Sequence, residues 1–468
     1  MDTQASNATI TAPRQISLAD WDARHAALRA SGLVEPWYGG PLGRHVADGD
    51  FRLRHLRFDD SAASLRLWNF LLTEEARLHK ARASGIKLIG AMKDLGTVPV
   101  IAFSASRTAA FYPDGAWWIP CVMECSESSL EIADGLGIDE SFCPVRAMLG
   151  AFVNREHFPV PDLLVCSAGA TCDDFSAIAQ RLESLGFPVF WWEMPYRRTP
   201  SQDEQAVSLP GGFSAPRSLV DAVKAELGRI TCAIEHVAGE HLSDDMLAAG
   251  IRSANVVRRL LCDLRHEVFT AAISPLPALE LLIAEMLALH FCSDREECTK
   301  VLEDLVREVT MRSRQGIGFG PASAVRVFWV NPTADLRAMN LLEDCGGRLC
   351  GTDFLFAHAL DVIPEDLPPL EALARMAIAD PMVGPASDRA ARICADALRY
   401  GAEAVVIARI PGASHCATEG GVIARAVRSR LGLPVTEIEV PPLSDSLAVT
   451  IRTRIEALVE TALEKRTP

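Results

Sequence analysis

Two stretches of the chain repeat one plan, and together they restrict it to an α/β architecture. The first, Pro161 to Pro195, reads PDLLVCSAGATCDDFSAIAQRLESLGFPVFWWEMP, and the second, Ala404 to Pro441, reads AVVIARIPGASHCATEGGVIARAVRSRLGLPVTEIEVP. Each opens on a short apolar run, DLLVC or AVVIA, with the look of a buried strand. A loop of small residues then leads to a cysteine, Cys172 or Cys416. A helix-period segment follows, then a turn (Leu185-Gly186-Phe187-Pro188 or Leu431-Gly432-Leu433-Pro434), then a second strand, VFWWEM or VTEIEV.

Strand, helix and neighbouring strand make a right-handed parallel unit. The loop leaving the first strand lies at the carboxyl edge of the sheet, where open α/β folds bind ligands. That loop also starts the next helix, whose positive end favours a thiolate. Two half-chains that each present a loop cysteine at a sheet edge can grip a group between them.

The 468 residues suffice for two or three domains with real cores. The net charge of -15 and the absence of a long basic run argue against nucleic acid as a partner. The N-terminus, MDTQASNATITAPRQ, lacks an apolar signal core, and residues 1 to about 15 read as disordered. The most apolar stretch, ISPLPALELLIAEMLALHF, carries Glu280, Glu285 and two prolines, so no membrane span is expected. These features predict a cytoplasmic protein, and in that compartment 13 cysteines do not form a disulfide framework.

The predicted fold is two flavodoxin- or Rossmann-like parallel-sheet domains related as a pseudo-repeat, with a helical segment between them and a helical N-terminal region. The expected divisions are 1–85 (tail and helices), 86–212 (first α/β domain), 213–320 (helical segment) and 321–468 (second α/β domain). TPSQDEQAVSLPGGFSAP reads as a polar linker. SESSLEIADGLGIDESFCPVRAMLGAFV reads as two helices around a loop, with Asp139 capping the helix that holds Cys143.

Cys143, Cys172 and Cys416 stand in loops or at helix starts among small or polar neighbours. Cys232, Cys262 and Cys394 fall inside helix patterns and read as buried packing, as do Cys292 and Cys298. Cys345 and Cys350 flank a Gly-Gly turn at a spacing too loose for zinc. Cys121 and Cys125 are either buried thiols or helical neighbours that join a metal site, and Cys166 is an alternative to Cys172. No CxxC occurs, so spacing alone leaves a metal site open.

SLEIADGLGIDESFCPVRAMLG, the first repeat unit and HCATEGGVIARAVRSRLGLPVTEIEV together resemble the 2-hydroxyacyl-CoA dehydratase and benzoyl-CoA reductase family, in the same order from about Lys87 to Arg466. The resemblance implies a large subunit of two α/β domains in which Cys143 (with Arg146 and Gly150), Cys172 and Cys416 hold a [4Fe-4S] cluster, one iron being left open. It implies a second homologous large subunit, an acyl-CoA substrate, and an ATP-dependent iron-sulfur activator that supplies a low-potential electron. The electron makes a ketyl radical from which a poor hydroxyl leaving group departs. The absence of a GxxxxGK[ST] loop fits ATP belonging to the partner.

The resemblance also carries alternatives: an ATP-dependent aromatic acyl-CoA reductase, a reductase with an [8Fe-9S] double-cubane cluster using Cys121, Cys125 and Cys166, or a non-catalytic electron-relay subunit. Tyr112-Pro113-Asp114 stands where the family has Tyr-Pro-Glu, which makes Asp114 a candidate catalytic carboxylate as against a surface turn residue. Pro99-Val100-Ile101-Ala102 replaces the usual Pro-x-Glu-Leu, and Asp94, Gly96 and Thr97 stand where a serine is often found. His415 is a candidate donor to a cluster sulfur or a CoA phosphate, as against a partly exposed loop histidine. Arg107, Arg146, Arg197 and Arg198 are candidates for CoA phosphates.

Overall fold

The computed structural model describes residues 13–48, 51–92, 96–113, 126–354, 360–440 and 448–466. It has two four-stranded parallel sheets. The first contains β3 (Lys87–Met92), β4 (Thr108–Phe111), β5 (Leu163–Gly169) and β6 (Val189–Met194), in the order β4-β3-β5-β6. The second contains β9 (Val325–Val330), β10 (Gly347–Asp353), β11 (Ala404–Arg409) and β12 (Val435–Glu439), in the order β10-β9-β11-β12. Both are the doubly wound order 2-1-3-4, so the duplication visible in two stretches extends to whole domains. In each sheet the third strand, β5 or β11, carries the cysteine loop at its carboxyl end. Both cysteine loops therefore leave strands that border a topological switch point.

Burial explains the strand sequences. All six residues of β9 except Arg326 are buried, and β11 is buried up to its last residue, Arg409. Strands covered by helices on both faces read as continuous apolar runs without alternation.

Helices Leu18–Ala30, Ala62–Leu72 and Glu74–Ala83 form the N-terminal region. The expected disordered stretch lies, over residues 1–12, outside the described residues, and from Gln15 the chain is ordered: β1 (Gln15–Ser17) pairs antiparallel with β2 (Arg57–Asp59). Between the sheets lie Arg217–Ala238, Asp244–Thr270, Ala278–His290 and Arg295–Gln315. Their ends are written locally. Ser243 and Asp294 accept from the Met246 and Glu297 amides, and Gly239 and Gly316 close two of the helices in left-handed conformation.

All thirteen residues of Ala278–His290 are buried, the pattern of a helix surrounded by protein on every side. Its two carboxyls are accommodated differently. Glu285 accepts from Arg265 at 2.7 Å and from Thr352. Glu280 accepts from the Asp59 amide and the Trp68 indole through one oxygen, while the other has no partner. Among the described residues, no helix is long and apolar enough to cross a membrane.

The polar stretch after β6 is an ordered hairpin, β7 (Ala206–Ser208) with β8 (Ser214–Pro216), and does not act as a loose linker. Gly211 and Gly212, at φ 73° and 81°, make its turn. Just before it, the buried Arg197 donates to the Ile378 and Asp380 carbonyls and to Asp388, and it stacks on Phe213 at 4.0 Å. One arginine from the end of the first domain is thus fixed inside the second. That use removes it from the candidates for CoA phosphates.

Candidate functional site

Cys172 is the N-cap of the helix Asp173–Ser184, immediately after β5. Cys416 lies within a short helix, Ser414–Thr418, which precedes Gly420–Leu431. The second copy of the plan therefore has an extra helical turn at the point where the first has its cap. Cys143 is not inside a helix. It precedes the 3-10 turn Pro144–Arg146 that leads into Ala147–Asn154. Asp139 caps its own turn, accepting from Ser141, and does not cap that helix.

The fold brings these three cysteines together. Gly412, in the loop after β11, has φ +78°, and a Cβ there would stand 2.4 Å from the Phe142 carbonyl oxygen and 3.2 Å from the Cys143 nitrogen. The Ser414 hydroxyl lies 3.5 Å from Cys172 Sγ. Burial pushes the Cys143 thiol well above its usual range, and charge on Cys416, Cys172 and Asp174 would raise it further. Burial likewise pushes Cys416 up to about 12, with Cys172 adding to the rise and Arg389 opposing it. The helix-start argument favoured thiolates at Cys172 and Cys416, but at Cys416 desolvation outweighs it. Among the described residues, no three His, Cys, Asp or Glu side chains converge closely enough to hold a single metal ion.

Each cysteine segment is held from behind. Arg146 is buried and donates to Asp134 at 3.2 Å and to the Phe142 carbonyl, tying the Cys143 loop to the preceding helix, Ser126–Gly135. Gly150 lets the two helices touch: a Cβ there would meet Ser129 Cα and O at 2.4 Å. Asn331, at the end of β9 with φ 66°, donates to the carbonyls of Ala408 and Cys416. Arg389, 1% exposed, donates to Asp353, Glu419 and Asn331 at 2.7–2.8 Å. His415 places one ring nitrogen on the Thr171 carbonyl and the other on Glu419 at 3.1 Å. Burial disfavours the charged ring, but these two bonds outweigh it and its pKa is raised. Both its nitrogens are engaged, so it is not a spare donor; it is partly exposed, as the plainer reading had it, but lies in the short helix Ser414–Thr418 and not in a loop.

The other candidates lie elsewhere. Cys166 is buried in β5 with its thiol against the Ser167 and Phe175 carbonyls. Cys292, Cys298 and Cys394 are buried as expected, whereas Cys232 and Cys262 lie on exposed helix positions. The Cys345 thiol donates to the Arg452 carbonyl, and Cys350 is buried in β10. Arg198 pairs with Glu204 at the surface, and Arg107 is exposed. Thr97 is buried, and the Gly96 carbonyl accepts from Arg258. Asp94, Asp114, Cys121 and Cys125 lie outside the described residues.

Residues 99–462 match the family described as 2-hydroxyglutaryl-CoA dehydratase, D-component. No curated protein matches the chain. The matched span contains Cys143, Cys172 and Cys416 together with every side chain named above as holding their segments. The chain belongs to the 2-hydroxyglutaryl-CoA dehydratase D-component family, within the 2-hydroxyacyl-CoA dehydratases.

Proposed function

We propose that this chain is the [4Fe-4S] subunit of a radical 2-hydroxyacyl-CoA dehydratase, with Cys143, Cys172 and Cys416 as the cluster ligands. The observation that supports the reading is the contact between the three cysteine segments: Asp174 accepts from the Cys143 amide, the Cys172 thiol and the Ser414 amide, and the Ser414 hydroxyl lies 3.5 Å from Cys172 Sγ. The donor set fits the group. Thiolates are the usual ligands of iron-sulfur clusters, and each thiol of a cubane binds a different iron, so they need not converge on one point. Coordination deprotonates a thiol outright, which removes the cost that burial imposes on Cys143 and Cys416 here.

A bound cluster supplies low-potential one-electron chemistry. The residues of this chain position it and keep water away. Arg146 holds the Cys143 segment, Asn331 and Arg389 hold the Cys416 segment, and His415 ties the latter to the Thr171 carbonyl beside Cys172. In this reading the electron comes from an ATP-dependent activator, the substrate is an acyl-CoA, a homologous large subunit is the partner, and water is eliminated. Asp114 is the proposed carboxylate for moving a proton at the substrate.

The test is iron and acid-labile sulfide on anaerobically purified protein, beside Cys143→Ser, Cys172→Ser and Cys416→Ser. Near four irons per chain, lost in each variant, supports the reading. No iron after anaerobic reconstitution overturns it.

A further inference from the structure

Asp174 touches all three cysteine segments. It sits in the first turn of Asp173–Ser184 and is 5% exposed. One carboxylate oxygen accepts from the Cys143 amide at 3.2 Å. The other accepts from the Cys172 thiol at 3.4 Å and from the Ser414 amide at 3.4 Å. These groups arrive from the loop before Ala147–Asn154, from the end of β5 and from the loop after β11, the last of them 240 residues away in sequence.

An acidic residue in the first turn of a helix is ordinarily explained by its own helix, whose free amides and positive end it satisfies. Here its bonds to the Cys143 and Ser414 amides run to other segments. A buried carboxylate is also ordinarily matched by a cation. Among the described residues, no Lys, Arg or His forms an ion pair with Asp174, and one of its partners is the Cys172 thiol.

We propose that Asp174 is a positioning residue that clamps the three cysteine segments into one site and, by its negative charge, keeps a redox group held there hard to reduce. The inference rests on the cluster reading above and extends it to a residue that is not a ligand. A metal-bound sulfur carries no hydrogen, so ligation removes the Cys172 bond, whereas the two backbone bonds do not depend on the thiol. In a site without bulk water the charge is weakly screened, and a fixed anion makes the arrival of an electron less favourable.

The experiment uses the full chain with Asp174→Asn, which keeps the shape and one of the two backbone-amide bonds but removes the charge, and Asp174→Ala, which removes all of these. Each is reconstituted anaerobically with iron and sulfide. Iron content, visible circular dichroism and the midpoint potential from an EPR-monitored titration are then read. Asp174→Ala should lose most of its iron, and Asp174→Asn should keep iron but titrate at a more positive potential than the parent. Alkylation by iodoacetamide, mapped by mass spectrometry on the metal-free proteins, reads the clamp without any metal. Cys143, Cys172 and Cys416 should react roughly tenfold faster in Asp174→Ala, because the buried thiols open more often.

Parental alkylation rates in Asp174→Ala overturn the clamp, and a parental potential in Asp174→Asn overturns the charge effect. If the parent itself takes up no iron, the cluster reading and the charge effect fall together, while the clamp is still decided by alkylation.

Discussion

His415 in the second domain donates its Nε2 hydrogen to the carbonyl of Thr171, the residue before Cys172 in the first. Its other nitrogen meets Glu419, which Arg389 also holds. The bond joins the two cysteine loops without using either cysteine. His415→Ala should therefore lower stability by about 1.5–3 kcal/mol, the usual worth of a hydrogen bond to a charged group. A fall in thermal midpoint checks this, and an unchanged midpoint counts against the cross-domain bond.

Arg389 is the only cation bonded to both Asp353 and Glu419 among the described residues. Removing one member of a buried charge network leaves the others uncompensated, at about 3–5 kcal/mol. Arg389→Leu should lose that much in urea unfolding. Glu437, on the neighbouring strand β12 and with no resolved tie to this network, serves as the comparison: Glu437→Gln should stay close to the parent.

Gly412→Ala combines two penalties. The left-handed φ disfavours a side chain by about 1 kcal/mol, and the added carbon would press on the Phe142 carbonyl, a backbone atom that cannot swing aside. The loops bearing Cys143 and Cys416 should be forced apart. The expected result is reduced iron uptake on anaerobic reconstitution with the far-ultraviolet circular dichroism unchanged. Full uptake would show that the loops tolerate separation.

Glu280 gives the protein a pH dependence unrelated to the cysteines. Burial first, and then the neighbouring Asp59 charge, raise its pKa from 4.5 to about 8. The folded chain thus holds this proton where the unfolded chain has released it. Stability is greatest below the unfolded value and declines as pH rises from about 4.5 towards 8, by up to about 1.4 kcal/mol per unit from this one group. Glu280→Gln can keep both bonds to the acceptor oxygen without an ionisable proton. Its urea midpoint should match the parent at pH 5 and exceed it at pH 8. Parallel pH profiles for the two proteins would show that Glu280 does not titrate in this window.

The two sheets were legible because a buried parallel strand leaves a dense apolar run, and because the plan occurs twice with a cysteine at the same point. Cys172 and Cys416 stood out through that repeat, whereas Cys143 has no counterpart in it; only its loop position set it beside them, and the family resemblance joined the three. The residues that hold the site were harder to see. Asp174 in CDDF looks like any acid in a first helical turn. Arg389 left a trace that went unused: it shares one face with Ile393 and Ala397 at four-residue spacing, so an arginine interrupts an apolar stripe. The β7–β8 hairpin was misread as a linker because polar residues with Pro and Gly suit both. Cys232 and Cys262 were misread as buried because helix periodicity around a small residue does not say which face turns inward.

The anchoring of Arg197 bears on the order in which the molecule is made. Its acceptors are Ile378, Asp380 and Asp388, the last 191 residues further along. At ordinary rates of synthesis that gap takes on the order of 10–40 s to translate. Throughout the interval the guanidinium has no site to enter, and burying it alone would be costly. The anchor of Arg197 therefore forms only after the second half of the chain has been made.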